Sequence, residues 1–596
     1  MYLSAIVLCA IIGAAIADRD YHHLNTQMRN PDYVNEAEYT AQYWQEQAQA
    51  AIEQRLRRPQ NLNTARNVIM FLGDGMSIPT LAAARALLGQ RQGRTGEESV
   101  LSFETFPTVG LVKTYCVNEQ VADSACTATA YLCGVKNNYG TLGVTAKVPR
   151  YDCQASLDKS THLESIAAWA LADGRDAGIV TTTRITHASP AGAYANSAQR
   201  GWENDAQVRE SGYDPALCPD IAHQLVHTYP GNQFKVICII GSLVLYLYSD
   251  TTFFVISRLP SLSQKIVAMI FPPRCGFPML LHRFLLRLHS RGGRREFIPN
   301  TTIDEEGTRG RRTDERNLIE EWQLDKAERN VDRRYVWNRE QLLALMDSPP
   351  QYLLGLFEGN NMQYHMEANE TTEPTLPELT EIAIKSLSRN EKGYFLFIEG
   401  GRIDHAHHDN YVELALDETL ELSAAVNRAT ELTSDEDTLI VVTSDHSHVM
   451  AYNGYTRRGG DILGPSDQLG EDEIQYMTIS YINGPGHRPH ENGQRVNVLN
   501  DDDYGELRWQ THSDVPLDSE THGGDDIAVF ALGPHHHLFT GLYEQHQIPH
   551  IMGYIAQIGP GKHAENNAML MRPNTLSFLI VPILLASFNL NSILNI

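Results

Sequence analysis

The chain contains few cysteines and few basic residues for its length. Eight cysteines in 596 residues exclude a small scaffold built on disulfides, because such scaffolds are dense in cysteine. Lys and Arg number 48 against 73 Asp and Glu, which gives a net charge of −25. This balance excludes a nucleic-acid binder that neutralises phosphates with clustered basic side chains. With 42% hydrophobic and 20% charged residues, the chain is instead expected to fold around a large core.

The two ends of the chain have the composition of targeting signals. Residues 1–17 are apolar and end on the A-x-A pattern Ala15-Ile16-Ala17, which predicts a signal peptide. Residues 568–596 combine a short spacer with an uncharged apolar tail, the pattern of a GPI-attachment propeptide. A transmembrane helix is the alternative for this tail, although basic cytoplasmic residues normally follow one. The prediction is a domain of residues 18–567 at the cell surface, attached to the outer leaflet through a lipid anchor.

Sequons and cysteines fit an extracellular location. Asn300 and Asn369 are predicted glycosylation sites. Cys153 and Cys218 lie in polar, turn-like surroundings that suit a surface disulfide. An apolar helical run holds two further cysteines, which are expected to behave as small buried hydrophobes: Cys126 and Cys133.

One internal segment departs from the composition of the rest. Residues 236–248 are apolar, a run too short to span a bilayer. The stretch that follows, to about residue 290, is basic in an otherwise acidic protein and has no clean helical or strand period. It is either a membrane-binding insertion or translated non-coding sequence, and we favour the second interpretation for residues 238–290.

Three predicted strands each end in an acidic residue. Near-continuous apolar runs lead into Asp74, Glu399 and Asp445, and such runs are typical of strands covered on both faces in α/β sheets. Ligands of open α/β sheets bind beyond the carboxyl ends of the strands. Three carboxylates gathered there are costly unless cations neutralise them, so the pattern predicts a metal centre.

Histidines with ligand spacing accompany these acids. Asp404 and His408 are four apart after the second strand, so on a helical turn both can reach one ion. His446 follows the acid of the third strand directly, and His522 lies in a short loop before another strand. Mixed Asp and His ligation suits zinc, whereas carboxylate with hydroxyl suits magnesium.

A serine at the start of an apolar helix is the candidate nucleophile. Ser124 lies in the small-residue run 123–130, which lets the backbone approach a ligand closely. A serine at this position is usually a helix cap, and the motif alone leaves both roles open.

The chain resembles the animal alkaline phosphatases from about residue 40 to 560, interrupted by the basic segment. The resemblance rests on six motifs in the family's order: Gly73-Asp74-Gly75, Asp123-Ser124-Ala125, His187-Ala188-Ser189-Pro190-Ala191-Gly192, Glu399-Gly400-Gly401-Arg402-Ile403-Asp404-His405-Ala406-His407-His408, Ser444-Asp445-His446-Ser447-His448 and Glu520-Thr521-His522-Gly523. It implies an α/β fold with a central mixed, largely parallel sheet flanked by helices. A small surface subdomain of the crown type is expected at residues 454–519.

The resemblance also implies the roles of individual residues. Ser124 is the phosphate-accepting nucleophile, and Arg200 clamps the phosphate. The centre is expected to hold two Zn²⁺ and one Mg²⁺. Its ligands are Asp404, His408 and His522 for the first zinc, Asp74, Asp445 and His446 for the second, and Asp74, Ser189 and Glu399 for magnesium. Supporting positions around these ligands are His187, His405 and His448.

Further features follow from the same resemblance. Cys153 and Cys218 match a family disulfide. Phe357, Glu358 and Glu373 resemble part of a calcium site, whose remaining acid falls near residues 304–306. A homodimer is expected, with an N-terminal helix at about residues 36–57 reaching the partner subunit. The 238–290 segment interrupts a junction that is short in the family.

The expected function is the hydrolysis of small phosphate monoesters to an alcohol and inorganic phosphate through a phosphoserine intermediate. Sulfatases and phosphodiesterases of the same broad fold also use acids at strand ends, but Ser124 and Arg200 together with a magnesium set favour monoesters. The alternative outside catalysis is an impaired cell-surface binding protein of the same fold, if residues 238–290 disrupt folding.

Overall fold

The computed structural model describes residues 35–58, 60–239, 293–359 and 361–563. The predicted signal peptide, the predicted propeptide and nearly all of the 238–290 segment lie outside these ranges. Among the helices described, none combines the length and the apolar character that crossing a membrane requires.

The described ranges contain helices and strands in alternation. The strands are β1 (Asn67–Gly73), β2 (Thr108–Lys113), β3 (Asp176–Thr181), β4 (Val236–Ile239), β5 (Arg333–Val336), β6 (Tyr352–Leu356), β7 (Tyr394–Gly400), β8 (Thr438–Ser444), β9 (Ser447–His448), β10 (Met450–Tyr452), β11 (Pro465–Leu469), β12 (Gln475–Met477), β13 (Ile479–Gly484), β14 (Ser513–Pro516), β15 (His522–Gly523), β16 (Ile527–Leu532) and β17 (Gly541–Glu544). The α-helices are α1 (Ala41–Leu56), α2 (Ile78–Arg91), α3 (Ser124–Cys133), α4 (Cys153–Ser156), α5 (Ile166–Ala172), α6 (Ala188–Ala191), α7 (Asp205–Glu210), α8 (Ile221–His227), α9 (Leu318–Glu328), α10 (Arg339–Leu343), α11 (Leu376–Leu387), α12 (Arg402–His408), α13 (Val412–Leu432) and α14 (Gln547–Ala556).

The chain divides into two compact units. Of the residues that the structure describes, those within Met1–Tyr139 and Gly400–Ile596 form the first unit, and those within Gly140–Glu399 form the second.

The first unit is built on a mixed arrangement of five strands in the order β17-β2-β16-β8-β1. β8 is parallel to β1 and β17 is parallel to β2, whereas β16 is antiparallel to both β2 and β8. Every residue of β1 and β8 is buried. Helices α13 and α14 both contact β1, which explains why the strand is apolar throughout rather than alternating.

The strands of the second unit are all parallel, in the order β7-β3-β4-β6-β5. Helix α11 packs against β3 and β4, and α5 packs against β3. The predicted α/β fold class, with a mixed, largely parallel sheet and flanking helices, is confirmed. β4 extends through Ile239, so the first two residues of the 238–290 segment belong to a strand that pairs with β3 and β6.

Small sheets lie in the region of the predicted surface subdomain. β10, β13 and β14 form one sheet, and β11 and β12 form another. Met477, Val498 and Trp509 pack together as a separate hydrophobic cluster. Residues 450–516 therefore have their own small core, in the interval where sequence predicts a subdomain at 454–519.

The predicted N-terminal helix is divided in two. A 3₁₀ turn covers Glu36–Tyr39, and α1 follows it. Neither element has a buried residue, and α1 exposes Trp44, Ile52 and Leu56.

The core of the second unit contains a buried ion pair. The Arg312 guanidinium is 1% exposed and donates two hydrogen bonds, each of 3.0 Å, to the two carboxylate oxygens of Asp220. Burial raises the pKa of Asp220, and Arg312 opposes that rise. Removing one member of such a pair leaves an uncompensated charge in the interior.

We expect Arg312→Met to lower the free energy of unfolding by roughly 3–5 kcal/mol, because Asp220 loses its partner while remaining buried. The matched control is Arg334→Met, which breaks a pair with Asp332 that is 58% exposed on both sides and should lower it by less than about 1 kcal/mol. Urea unfolding of the full chain measures both changes. Equal effects of the two substitutions would contradict the prediction.

Candidate metal centre and nucleophile

Two of the predicted carboxylates are brought side by side by strand register. β1 and β8 pair in parallel with Gly73 opposite Ser444, so Asp74 and Asp445 follow neighbouring strand ends. Asp74, Asp445 and His446 are fully buried. The His446 Nε2 atom lies 3.0 Å from Asp445 Oδ2 and 3.6 Å from Asp74 Oδ1, so the three residues predicted for the second zinc form one cluster.

Backbone donors hold the Asp445 carboxylate in place. The N–H groups of Gly75 and His446 each donate to Asp445 Oδ1 at 2.9 Å. Burial acts to raise the pKa of Asp445, but the His446 side chain and the Gly75 N–H lower it to about 2. Gly75 has a φ of +68°, and a Cβ at this position would lie 2.4 Å from the His448 ring, so the turn requires glycine.

The structure separates the two roles that sequence leaves open for Ser124. Asp123 is the N-cap of α3, since its side chain accepts the N–H of Cys126 at 3.2 Å. Ser124 is the first residue of the helix and is 1% exposed. Its Oγ lies 3.2 Å from His446 Nε2. The cap is therefore the aspartate, and the serine hydroxyl faces the Asp74–Asp445–His446 cluster.

The three residues predicted for the first zinc also converge. Asp404 and His408 lie four residues apart on α12, and His522 begins β15. The Asp404 Oδ1 atom is 3.3 Å from His408 Nε2 and 3.4 Å from His522 Nε2. The two Nε2 atoms are 3.1 Å apart.

Backbone carbonyls determine which nitrogen of each imidazole carries the proton. His408 Nδ1 donates to the Glu520 carbonyl at 2.5 Å, and His522 Nδ1 donates to the Ala122 carbonyl at 2.8 Å. Burial lowers the pKa of His408 to about 3, so this ring is neutral and its Nε2 presents a lone pair. Two lone pairs and a carboxylate oxygen that face one another repel unless a cation lies among them. The donor set therefore fits a zinc ion.

His448 connects this ligand set to an acid that sequence analysis does not assign. Its Nε2 lies 2.9 Å from Asp404 Oδ1, and its Nδ1 hydrogen-bonds to the Glu520 carboxylate. Burial would lower the pKa of His448, but Glu520 and Asp404 raise it to about 10. Glu520 thus orients His448 with its side chain and His408 with its carbonyl. Its place in the Glu520-Thr521-His522-Gly523 motif is the sequence signal that could have indicated this.

His407 is a second contact that sequence analysis misses. It is fully buried, with Nδ1 2.8 Å from the Tyr481 hydroxyl and Nε2 3.0 Å from Thr80 Oγ1. Since it neighbours His408, it ties the ligand-bearing helix α12 to α2 and β13. The Nδ1 atom of His405, which is predicted to support the ligands, lies 2.9 Å from Nη1 of Arg402, and its supporting role stays a prediction.

The two ligand clusters of the first unit touch through a pair of imidazoles. The rings of His446 and His522 are stacked, with centroids 3.5 Å apart and an interplanar angle of 21°. The residues predicted for the two zinc ions are therefore neighbours.

The other predicted residues of the centre lie in the second unit. Glu399 is inside β7 opposite Thr181, and its carboxylate accepts hydrogen bonds from the hydroxyls of Thr181 and Thr183. Ser189 is fully buried in α6. Arg200 Nη2 lies 3.2 Å from Nε2 of His187. The third residue predicted for magnesium, Asp74, belongs to the first unit. The magnesium site of Asp74, Ser189 and Glu399 therefore stays a prediction.

The acids predicted for calcium belong to a buried cluster of the second unit. Glu358 is 1% exposed, and neither of its carboxylate oxygens has a hydrogen-bond partner among the described residues. Burial, with Glu306 and Glu373 as neighbours, raises the pKa of Glu358 to about 10. Burial also raises the pKa of Glu306 to about 7, and Asp304 and Glu373 add to that rise. A divalent cation bound among these carboxylates would neutralise their negative charge.

The cysteines differ in part from expectation. Cys153 is joined to Cys218, the pair that the resemblance implies. The expectation that Cys126 is an unpaired buried hydrophobe is wrong, because it is joined to Cys116. The loop after β2 returns to the start of α3 and brings the two Cα atoms within 5.8 Å, a proximity that the sequence does not reveal. Cys133 is buried and free, as expected.

The predicted glycosylation sites are accessible. Asn300 and Asn369 are both exposed. The Asn369 side chain accepts hydrogen bonds from the N–H and hydroxyl groups of Thr371 within its sequon.

Characterised relatives resemble the chain over most of its length. It is 57% identical over 531 residues to the membrane-bound alkaline phosphatase of Bombyx mori, covering 88% of this chain and 87% of that protein. It is 43% identical over 533 residues to the tissue-nonspecific alkaline phosphatase of Felis catus, covering 88% and 90%.

Solved bacterial structures share the fold. The alkaline phosphatase of the Antarctic bacterium TAB5 aligns with a TM-score of 0.51 at 18% identity, covering 84% of this chain and 99% of that one. The enzyme of Thermus thermophilus aligns with a TM-score of 0.52 at 21% identity, covering 84% and 92%.

The sequence model of the alkaline phosphatase family matches residues 65–250 and 281–558. The unmatched interval, residues 251–280, falls inside the segment singled out by its composition. Together with the identity to the relatives above, this match establishes that the chain belongs to the alkaline phosphatase family, whose members hydrolyse phosphate monoesters.

Proposed function

We propose that this chain hydrolyses phosphate monoesters through a phosphoserine at Ser124, in a centre of two Zn²⁺ and one Mg²⁺. The observation that carries the proposal is the position of Ser124 Oγ, 3.2 Å from His446 Nε2 in a fully buried ligand cluster. When bound, the metals would supply Lewis acidity that lowers the pKa of the nucleophile and neutralises developing charge.

The residues of the chain divide the reaction into two displacements. Ser124 Oγ attacks phosphorus in line and the P–O bond to the alcohol breaks, leaving a phosphoserine. Water then attacks that phosphorus and the bond to Oγ breaks, which releases inorganic phosphate. Arg200 binds two non-bridging oxygens with its planar fork, a geometry that lysine cannot reproduce. Two inversions give net retention at phosphorus, and a chiral phosphate ester that yields inverted product would rule out the scheme.

Ligand positioning rests on the backbone in this proposal. The carbonyls of Glu520 and Ala122 hold His408 and His522 with Nε2 toward Asp404. Partners that orient metal ligands in this way commonly contribute about 10- to 100-fold to metal affinity or activity.

Calcium would occupy the acidic cluster of the second unit. We propose the Phe357 carbonyl, Glu358 and Glu373 as ligands, with Glu306 as the remaining acid. The support is the burial of Glu358, whose carboxylate oxygens have no hydrogen-bond partner in the described part of the chain, and the effect of neighbouring acids on the pKa values of Glu358 and Glu306. Oxygen ligands of this kind suit a hard divalent cation.

Attachment to the outer leaflet through a lipid and assembly as a homodimer complete the proposal. The Bombyx mori relative is described as membrane-bound, and the tail at 568–596 has the composition of an anchor signal. Helix α1 exposes Trp44, Ile52 and Leu56, apolar surface that a second copy could cover. Release of the protein from membranes by a phosphatidylinositol-specific phospholipase would support the lipid anchor. A light-scattering mass equal to two chains would support the homodimer.

We propose that the 238–290 segment, apart from the two residues that complete β4, is absent from the natural protein. The break in the family match at 251–280 supports this. Tryptic peptides from within residues 240–290 of the natural protein would overturn it. An inactive full chain that regains activity when the segment is deleted would favour the alternative of an impaired binding protein for the sequence as written.

We expect Ser124→Ala to lower kcat for p-nitrophenyl phosphate by at least about 1000-fold, because no other group forms the covalent intermediate. Zinc content and the unfolding midpoint should stay at the wild-type values. Ser165→Ala is the matched control: Ser165 is also a buried serine at a helix start, but it caps α5. It should lose about 1 kcal/mol of stability and keep its kcat. Full activity of Ser124→Ala would refute the proposal.

Substitution of His522 should lower zinc content and activity, whereas substitution of an exposed histidine should change neither. We expect His522→Ala to bind one zinc fewer per chain and to lose most of its activity, since Asp404 and His408 alone cannot complete a tetrahedral site. His537→Ala is the control, because His537 is exposed. Elemental analysis after dialysis measures the zinc. A chelator should abolish wild-type activity, and Zn²⁺ with Mg²⁺ should restore it; activity that survives complete removal of metal would contradict the proposal.

Calcium should stabilise the wild-type protein and not the Glu358→Gln variant. The reason is that the amide cannot offer the charge that the cation neutralises. Glu305→Gln is the control, because Glu305 is 39% exposed at the edge of the same cluster. The midpoint of thermal unfolding, with and without millimolar Ca²⁺, gives the result. An equal rise in the midpoint for Glu358→Gln and wild type would exclude this site.

A further inference from the structure

The Cys116–Cys126 disulfide lies directly beside the proposed nucleophile. Cys126 is the third residue of α3 and follows Ser124 by two positions, while Cys116 follows the end of β2. The bridge closes a sequence separation of only 10 residues. The chain segment between β2 and Ser124 therefore belongs to this small ring or directly precedes it.

The ring contains the groups that position the reaction. The Ala122 carbonyl accepts the Nδ1–H of His522 at 2.8 Å. The Asp123 side chain caps α3 by accepting the N–H of Cys126 at 3.2 Å. Ser124 follows at once. One loop thus sets the orientation of a metal ligand, the start of the nucleophile helix and the nucleophile itself.

Among the residues that the structure describes, few other contacts restrain the outer arm of this loop. Residues 117–121 are all exposed. Two hydrogen bonds restrain their start: the Val117 N–H donates to the Asn137 carbonyl at 2.9 Å, and Asn118 Oδ1 accepts the Tyr139 N–H at 2.8 Å. By contrast, Cys116, Ala122 and Cys126 are buried together, with Tyr139 packed against them. The disulfide is the covalent element of that small cluster.

We propose that Cys116 and Cys126 are positioning residues of the phosphatase site. Their disulfide holds the base of an exposed loop so that Ala122 stays bonded to His522 and Ser124 stays beside His446. Displacements of about 1 Å in such positioning groups lower rates by roughly 100-fold. This inference rests on the roles proposed above for Ser124 and His522.

The second disulfide of the chain supplies a control. Cys153–Cys218 spans a sequence separation of 65 residues and packs among Val144, Trp202 and Val208 in the second unit. A longer ring restricts the unfolded chain more, so its loss should lower stability more than loss of the Cys116–Cys126 bridge. The ring that it closes includes Ser189 and Arg200, but both lie far from either cysteine along the chain. The hydrophobic cluster packed around the bridge contains none of the residues proposed for the reaction.

The test compares two double variants of the full secreted chain, Cys116→Ala with Cys126→Ala, and Cys153→Ala with Cys218→Ala. Three quantities are measured: kcat and KM for p-nitrophenyl phosphate, the rate of zinc loss to a chelator, and the midpoint of thermal unfolding. We expect the first variant to lose roughly 10- to 100-fold in kcat and to release zinc faster, with the smaller drop in midpoint. The second variant should keep kcat within about twofold and show the larger drop in midpoint.

Two results would overturn the proposal. One is a first variant whose kcat and zinc retention match those of wild type. The other is a loss of kcat that follows the unfolding midpoint equally in both variants, since a purely structural bridge predicts that relation.

A further variant covers the case in which the first double variant is not secreted. Two glycines inserted between Glu119 and Gln120 lengthen the exposed arm while the disulfide remains. If the disulfide holds the base of the loop, kcat should stay within about twofold of wild type; a loss comparable to that expected for the missing bridge would overturn the proposal.

Ser124→Ala, measured in parallel with both disulfides intact, separates this inference from the proposed function. An active Ser124→Ala refutes the phosphoserine scheme itself. An inactive Ser124→Ala beside a fully active Cys116–Cys126 variant refutes the positioning role alone.

Discussion

The constraint on which the first unit depends is the repulsion among its buried ligands. Asp74, Asp445 and Asp404 are buried, at 0–3% exposure, next to imidazole nitrogens whose lone pairs point inward. Desolvated groups of this kind are stable only when cations and hydrogen bonds compensate them. The Gly75 turn, the N–H groups directed at Asp445 and the charged His448 each provide part of that compensation. Local features that look independent in sequence thus serve one electrostatic requirement.

The requirement also explains why backbone groups, rather than side chains, orient the histidines. A carbonyl can only accept a hydrogen bond, so it forces Nδ1 to carry the proton and leaves Nε2 free. The carbonyls of Ala122 and Glu520 do this for His522 and His408. Both carbonyls belong to loops, which must then be held firmly. The buried disulfide at Cys126 and the Glu520–His448 contact are two solutions to that same problem.

Sequence analysis could predict what is local or repeated, and missed what depends on tertiary contact. The strand ends, the spacing of Asp404 and His408 and the α/β fold class all follow from periodicity and ordered motifs. The cap at Asp123 settles the role of Ser124 only when the helix start is seen. The Cys116–Cys126 bridge and the role of Glu520 need the loop after β2 and the loop before β15 to be placed in space, which no local pattern does.

The elements on either side of the 238–290 segment are held in place by contacts with other parts of the second unit. β4 pairs through Ile239 with β6, and Arg294, fully buried, donates to the Leu356 carbonyl at 2.7 Å. For a flexible connection, each doubling of length adds only about 0.6 kcal/mol to the free energy of loop closure. Length alone is therefore a weak argument against folding of the second unit. The composition of the segment is a stronger argument against folding. An apolar, basic stretch within an otherwise acidic chain favours association with other molecules over folding.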